Sequence, residues 1–191
     1  GDKRLTEIQD VEDEIDLEDL IERHECIITM TRSGYIKRLP ADTYTAQHRG
    51  GKGIMGMTTK EEDVVEDVIS VHSHSNLLMF TSAGKVYMKK AYEIPEASRT
   101  AKGTNIANVL ELGEGEKVTS VISVEGFEEN EFFVMVTKLG VVKRANVKDF
   151  EYQRKGGKIA INLDEGDELL ALAHPGCRVP LEEAHLDLVD V

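Results

Sequence analysis

Apolar and polar positions alternate through most of this chain, and the alternation itself recurs. Cys26-Ile27-Ile28-Thr29-Met30-Thr31 is rich in β-formers, Arg32-Ser33-Gly34 is a turn signal, and Tyr35-Ile36-Lys37-Arg38-Leu39 alternates apolar with basic. Two such runs joined by a glycine-containing turn predict a β-hairpin. The pattern returns at 77–81, Ser82-Ala83-Gly84 and 85–89, and again at 132–137, Lys138-Leu139-Gly140 and 141–144. The turn glycines stand at 34, 84 and 140. Further β-rich runs lie at 64–71, 118–124 and 167–172. The pattern predicts an all-β array of units about 50 residues long, each of about four strands, as in a propeller or a related array. Each unit would bury its apolar face against its neighbours.

Three regions follow. Residues 1–25 are an acidic lead-in, ending in a short helix with Leu17, Leu20 and Ile21 on one face. Residues 26–173 hold the repeats, divided at about 26–71, 72–124 and 125–173. A fourth unit starts at Glu165-Gly166-Asp167 and fails at His174-Pro175-Gly176-Cys177, so 174–191 reads as a divergent tail.

Charge changes the picture more than composition does. The net charge is −13, which by itself argues against a nucleic-acid binder. Residues 1–25, however, hold 11 acidic and 3 basic side chains, and residues 164–191 hold 8 acidic and 1 basic. The stretch between them is left with 19 basic and 17 acidic residues, a balance that can carry basic loops. Aromatics are 5% with no Trp, which argues against a large aromatic ligand pocket. Two distant cysteines make no disulfide framework, and no apolar run approaches a membrane span.

One basic loop recurs in each unit. Arg49 and Arg99 follow the turn glycine by fifteen residues, and Arg154 by fourteen. The loops read Arg49-Gly50-Gly51-Lys52-Gly53, Arg99-Thr100-Ala101-Lys102-Gly103 and Arg154-Lys155-Gly156-Gly157-Lys158. Consecutive N–H groups in a glycine-rich loop can cradle an anion, Arg offers a planar fork of donors, and Lys a mobile charge. Such loops grip phosphate without reading sequence. Lys37, Arg38, Lys89, Lys90, Lys143 and Arg144 alternate with apolar residues and read equally as the solvated face of a sheet. His72 and His74, with His24 and Cys26 as loose companions, make a poor metal set. Gly113-Glu114-Gly115-Glu116-Lys117 lacks the Gly-Lys-Ser/Thr ending of a phosphate-binding P-loop and reads as an inter-unit turn. No nucleophile–base constellation is suggested.

Over about residues 3–172 the chain resembles the C-terminal domain of the DNA gyrase A subunit. The resemblance is carried by Glu18-Asp19-Leu20-Ile21, Ser33-Gly34-Tyr35-Ile36-Lys37-Arg38, Lys85-Val86-Tyr87, Tyr92-Glu93-Ile94-Pro95-Glu96-Ala97 and Ala160-Ile161-Asn162-Leu163. Above all, Gln47-His48-Arg49-Gly50-Gly51-Lys52-Gly53 is similar to the family's heptapeptide box, with His48 where the box has arginine. The resemblance implies a β-pinwheel, a propeller variant in which blades exchange strands, present here as about three blades. It implies double-stranded DNA wrapped on a basic rim, with the box Gln47–Gly53 as a grip; among the recurring loops Arg49 and Lys52 rank first as phosphate contacts, and Arg99, Lys102, Arg154, Lys155 and Lys158 follow as weaker copies. It also implies partnership with the rest of the gyrase A subunit and with the gyrase B subunit, in an ATP-hydrolysing type II topoisomerase of the bacterial cytoplasm and nucleoid. ATP and Mg belong to that holoenzyme; this chain is expected to hold no cofactor or metal and to be no enzyme alone, lacking the DNA-breaking tyrosine region. At His48 the imidazole, with an ordinary pKa near 6.5, predicts weaker and pH-dependent DNA contact. The alternatives are the matching domain of topoisomerase IV and a propeller-like protein-interaction scaffold.

Overall fold

The computed structural model describes residues 17–43 and 63–174. Eleven strands follow in order: β1 (Glu25–Thr31), β2 (Tyr35–Pro40), β3 (Val65–His72), β4 (Asn76–Thr81), β5 (Lys85–Lys90), β6 (Thr104–Asn105), β7 (Val118–Val124), β8 (Phe132–Thr137), β9 (Val142–Asn146), β10 (Lys158–Ile159) and β11 (Leu169–Ala173). They form three antiparallel sheets, ordered β3-β1-β2-β6, β10-β5-β4-β7 and β11-β8-β9. The all-β array expected from the repeat is present, in the strand-exchanged form that the resemblance implies.

Each hairpin is closed by the same device. The N–H groups of Gly34, Gly84 and Gly140 donate to the carbonyls of Thr31, Thr81 and Thr137 at 2.8, 2.9 and 3.0 Å. These glycines have φ of 79°, 70° and 87°, the left-handed residue of a three-residue hairpin loop with a bulge. The three threonines are buried. An acid two residues before the next strand reaches each turn. Asp63 accepts from the Ser33 N–H at 3.0 Å, Asp167 accepts from the Leu139 N–H at 2.9 Å, and Glu116 accepts from the Thr81 hydroxyl at 2.5 Å. The inter-unit turn 113–117 is therefore a lock on the second hairpin, with Glu116 also accepting from the Gly113 N–H at 2.7 Å.

β4 shows why the repeats need one another. All six of its residues are buried, because both of its faces are covered. Leu77 and Met79 join a core with Cys26, Ile28, Met30 and Ile36 of the first sheet. Leu78 and Phe80 point the other way, into a core with Phe133, Met135 and Leu172 of the third. This is the period-two geometry of a strand, applied to a sheet stacked between two others. Each such fully buried side chain contributes about 1.5–3 kcal/mol. Phe80, Phe133 and Phe150 meet with ring centroids 5.3–5.9 Å apart, mostly edge to face.

The fourth strand of a sheet comes from the following repeat. β6 pairs with β2 (Tyr35↔Asn105, Ile36↔Thr104), and β10 pairs with β5 (Lys85↔Ile159, Val86↔Lys158). The third sheet has no such partner on β9 among the described residues. Val142 is 64% exposed there, whereas Ile36 and Val86, its counterparts, are both 0%.

The short helix of the lead-in is a single 3₁₀ turn, Leu17–Leu20, with Leu20 exposed and not packed as its face predicted. Polar contacts tie the segment to the array: Glu18 pairs with Lys90 at 3.1 Å, the Ser73 hydroxyl donates to the Glu22 carbonyl at 3.0 Å, and the Ser73 N–H donates to the His24 carbonyl at 2.9 Å.

Candidate nucleic-acid interface

The loops that carry the basic residues are also the lead-ins to the exchanged strands. The heptapeptide Gln47, His48, Arg49, Gly50, Gly51, Lys52 and Gly53 lies outside the described residues. Its two counterparts lie within them. Ser98–Ala101 turns back on itself, with the Ala101 N–H donating to the Ser98 carbonyl at 3.1 Å, and then runs through Lys102 and Gly103 into β6. Arg154–Gly157 closes in the same way at 2.9 Å and runs into β10.

Gly103 and Gly157 hold equivalent places at these entries. Their φ values are +89° and +77°. A Cβ on Gly103 would stand 2.6 Å from the Ile36 carbonyl oxygen, and one on Gly157 would stand 2.9 Å from the Tyr87 ring. Both the left-handed backbone and the close approach to the preceding sheet exclude a side chain. The third loop is shorter, so Lys158 follows this glycine whereas Lys102 precedes its own. Lys158 thus stands on the exchanged strand and is not the positional copy of Lys102.

Among the basic residues, Arg99, Arg154, Lys155 and Lys158 are exposed and Lys102 is half-buried. The Lys102 ammonium stands 3.4 Å over the Tyr35 ring centroid, a cation–π contact. The Lys158 ammonium donates to the Asp149 carbonyl. Because β6 and β10 are the outermost strands of their sheets, the two loops occupy the same outer edge of consecutive sheets.

The strand-borne cations are not simply a solvated face. Lys37 is fully buried. Its Nζ donates to the carbonyls of Ser98, Arg99 and Ala101 at 3.2, 2.7 and 3.0 Å, and burial pushes its pKa down. Arg38 is also engaged, with the Ile94 carbonyl at 3.3 Å and Glu96 at 3.2 Å. Lys89 pairs with Glu93 at 3.0 Å, and Lys143 donates to the Ala160 carbonyl at 2.7 Å. Tyr87 takes the place of Lys37 in the second sheet. Burial, reinforced by Glu116, pushes its phenol up to about 12, so it stays protonated and donates to the Glu111 carbonyl at 2.9 Å. Sequence reasoning missed Lys37, since alternation with apolar neighbours placed it on the solvent side. It also missed Asp63, Glu116 and Asp167, although an acid two residues before each closing strand was a readable signal. Among the described residues no three His, Cys, Asp or Glu gather in a way that would hold a metal, and no helix is long and apolar enough to cross a membrane.

The sequence profile for the DNA gyrase C-terminal domain, beta-propeller, matches residues 27–72, 75–125 and 131–174. The chain belongs to this family. The DNA gyrase C-terminal domain profile thus falls on the three sheets and the turns between them. By sequence, the chain is 51% identical over 172 residues to the DNA gyrase A subunit of Clostridium acetobutylicum, covering 90% of this chain and 21% of that protein. To the same protein of Halalkalibacterium halodurans it is 48% identical, covering 88% and 20%. The chain therefore spans about a fifth of the length of these gyrase relatives. By structure, it is similar to the C-terminal domain of a DNA topoisomerase IV (TM-score 0.70, 25% identity, 81% of this chain and 46% of that one) and of a DNA gyrase A (0.59, 27%, 78% and 47%). The fold is shared by both enzymes' domains, while the sequence relatives favour gyrase.

Proposed function

We propose that this chain is the DNA-binding and DNA-wrapping part of a gyrase A subunit, working with the remainder of that polypeptide and with the gyrase B subunit in ATP-dependent negative supercoiling. It supplies a surface, and the chemistry of strand breakage and ATP hydrolysis, with its Mg, lies elsewhere in the holoenzyme. The observation that carries this reading is the recurrence of exposed cations, Arg99 and then Arg154, Lys155 and Lys158, on the outer edges of consecutive sheets. Family membership supports duplex DNA as their partner.

A stacked array explains why repetition matters. Bending 20–30 base pairs by 40–90° costs about 1–6 kcal/mol by elastic estimates. A row of loops at successive points of a curved edge offsets that cost, whereas one loop would only touch the duplex. Gln47–Gly53, with Arg49 and Lys52, would add the first member of the row.

The test is duplex binding as a function of salt, followed by ligation of nicked circles in the presence of the protein. Affinity should fall linearly on a log–log plot. The slope should become shallower by about 0.9 for each phosphate no longer neutralised in Arg99→Ala, Arg154→Ala and Lys155→Ala. Ligated circles should carry a linking-number change of one sign. Absence of duplex binding at low salt would overturn the reading in favour of a protein-interaction scaffold.

A further inference from the structure

Lys37 is an uncommon side chain: an ammonium with no exposed surface, on the second strand of the first sheet. Ordinary lysines avoid this environment because the charge loses its water. What replaces the water here is backbone from the next repeat. Three carbonyls of one loop, from Ser98, Arg99 and Ala101, converge on Nζ within 3.2 Å. Three acceptors match the three donors of an ammonium.

The consequence falls on the loop. Carbonyls drawn inward onto one point fix the path of Ser98–Ala101, and Arg99 and Thr100 stay exposed on the outside of it. Gly103 and Tyr35 complete the seat: the glycine lies tightly against Ile36, and the Lys102 ammonium rests on the Tyr35 ring. Asp63 lies within electrostatic reach of Lys102. The second sheet seats its loop differently. The Tyr87 ring lies against Gly157, and its hydroxyl goes to Glu111 and Glu116, not to the loop. Of the two described loops, the one that begins at Arg99 is held by an ammonium clasp and the one that begins at Arg154 is seated differently, so the clasp is not a general requirement for packing an exchanged strand.

We propose that Lys37 is a positioning residue for DNA contact: its buried ammonium holds the Ser98–Ala101 backbone so that Arg99 and Lys102 are presented together as one phosphate-gripping unit. The proposal rests on the DNA-wrapping reading. It assigns a share of the DNA affinity to a cation that never meets DNA.

The test is the salt dependence of duplex binding for Lys37→Met and Lys37→Gln, alone and combined with Arg99→Ala or Arg154→Ala. Lys37→Met should weaken binding about tenfold and make the log–log slope shallower by about 0.9–1.8, equivalent to one or two phosphate contacts. Lys37→Gln, which keeps two donors, should fall between. Arg99→Ala should add little to Lys37→Met, while Arg154→Ala should add its full effect, because coupling is confined to groups that share a partner. Circular dichroism identifies variants that are folded; if Lys37→Met is not, the Gln variant carries the same comparison. A folded variant with the parental slope, or full additivity with Arg99→Ala, overturns the positioning role while leaving DNA binding intact. A parent chain that fails to bind duplex overturns the underlying reading, and the positioning role with it.

Discussion

Replacing Gly103 by alanine tests whether the strand exchange depends on a side-chain-free entry. Two costs add. At φ +89° an L-residue pays about 1–2 kcal/mol for the left-handed conformation. The new Cβ would also stand 2.6 Å from the Ile36 carbonyl oxygen and 3.1 Å from the Lys37 Cβ. Both neighbours belong to β2, a central strand, so the two-residue β6 must give way. Moving it strains the Ile106 N–H to Gly34 carbonyl bond of 2.8 Å and the contacts made by Lys37. With one hydrogen bond broken at about 0.5–1.5 kcal/mol, the total is about 2.5 kcal/mol. For a chain of this size that lowers Tm by about 5–10 °C. Gly140→Ala is the matched control, because its φ is +87° but nothing lies within 4 Å of the added Cβ. It should lose only the conformational term, about 1.5 kcal/mol or 3–6 °C. Thermal unfolding followed by far-UV circular dichroism reads both. Equal losses in the two variants would refute the argument that the close approach at β2 matters.

Two aspartates should respond to pH with opposite signs. Burial, helped by Glu66, raises Asp67 to about 6, so its benefit to the fold is complete below about 4 and is lost as pH rises through about 6. Asp67→Asn should therefore stabilise at neutral pH, by up to about 3 kcal/mol, with the gain vanishing in acid; urea titrations at several pH values check this. Burial pulls Asp167 upward, but hydrogen bonds from Thr137 and from the Leu139, Glu168 and Lys138 amides outweigh it and leave its pKa lowered. Its contribution is present above the ordinary carboxylate pKa and lost as pH falls, so Asp167→Asn should destabilise at neutral pH and converge with the parent in acid. Val86→Thr should cost about 1–3 kcal/mol by burying a hydroxyl under β10, while Val142→Thr should change stability by less than about 0.5 kcal/mol; a comparable loss at both sites would mean that β9 is covered.

The strands were legible because alternation and turn chemistry agree at each hairpin. Ser33-Gly34, Ala83-Gly84 and Leu139-Gly140 mark the turns, and the flanking runs match β1, β2, β4, β5, β8 and β9 to within a few residues. The exchange partners β6 and β10 were not legible from the pattern. Thr104–Asn105 and Lys158–Ile159 are too short to show a period, and their pairing is set by contacts with strands far back in the chain. Lys37 was misread for the same reason. Its neighbours Ile36 and Arg38 announce a half-exposed strand, and only the folded position of Ser98–Ala101 buries it. The basic loops were legible as a recurring motif, but their register was not. The shortened third loop moves Lys158 past the glycine, which spacing from the turn could not reveal.

The borrowed fourth strand has a consequence for how such an array is made. On a ribosome, the edge of β2 waits until Thr104 and Asn105 have been synthesised, and the edge of β5 waits for Lys158 and Ile159. At about 5–20 residues per second, each interval lasts about 3–15 s. During that time a nascent sheet carries an open edge beside an emerging one of the same design, the situation in which a neighbouring polysome chain could donate its strand instead. Synthesis in order lets each unit close the one before it from within the same chain.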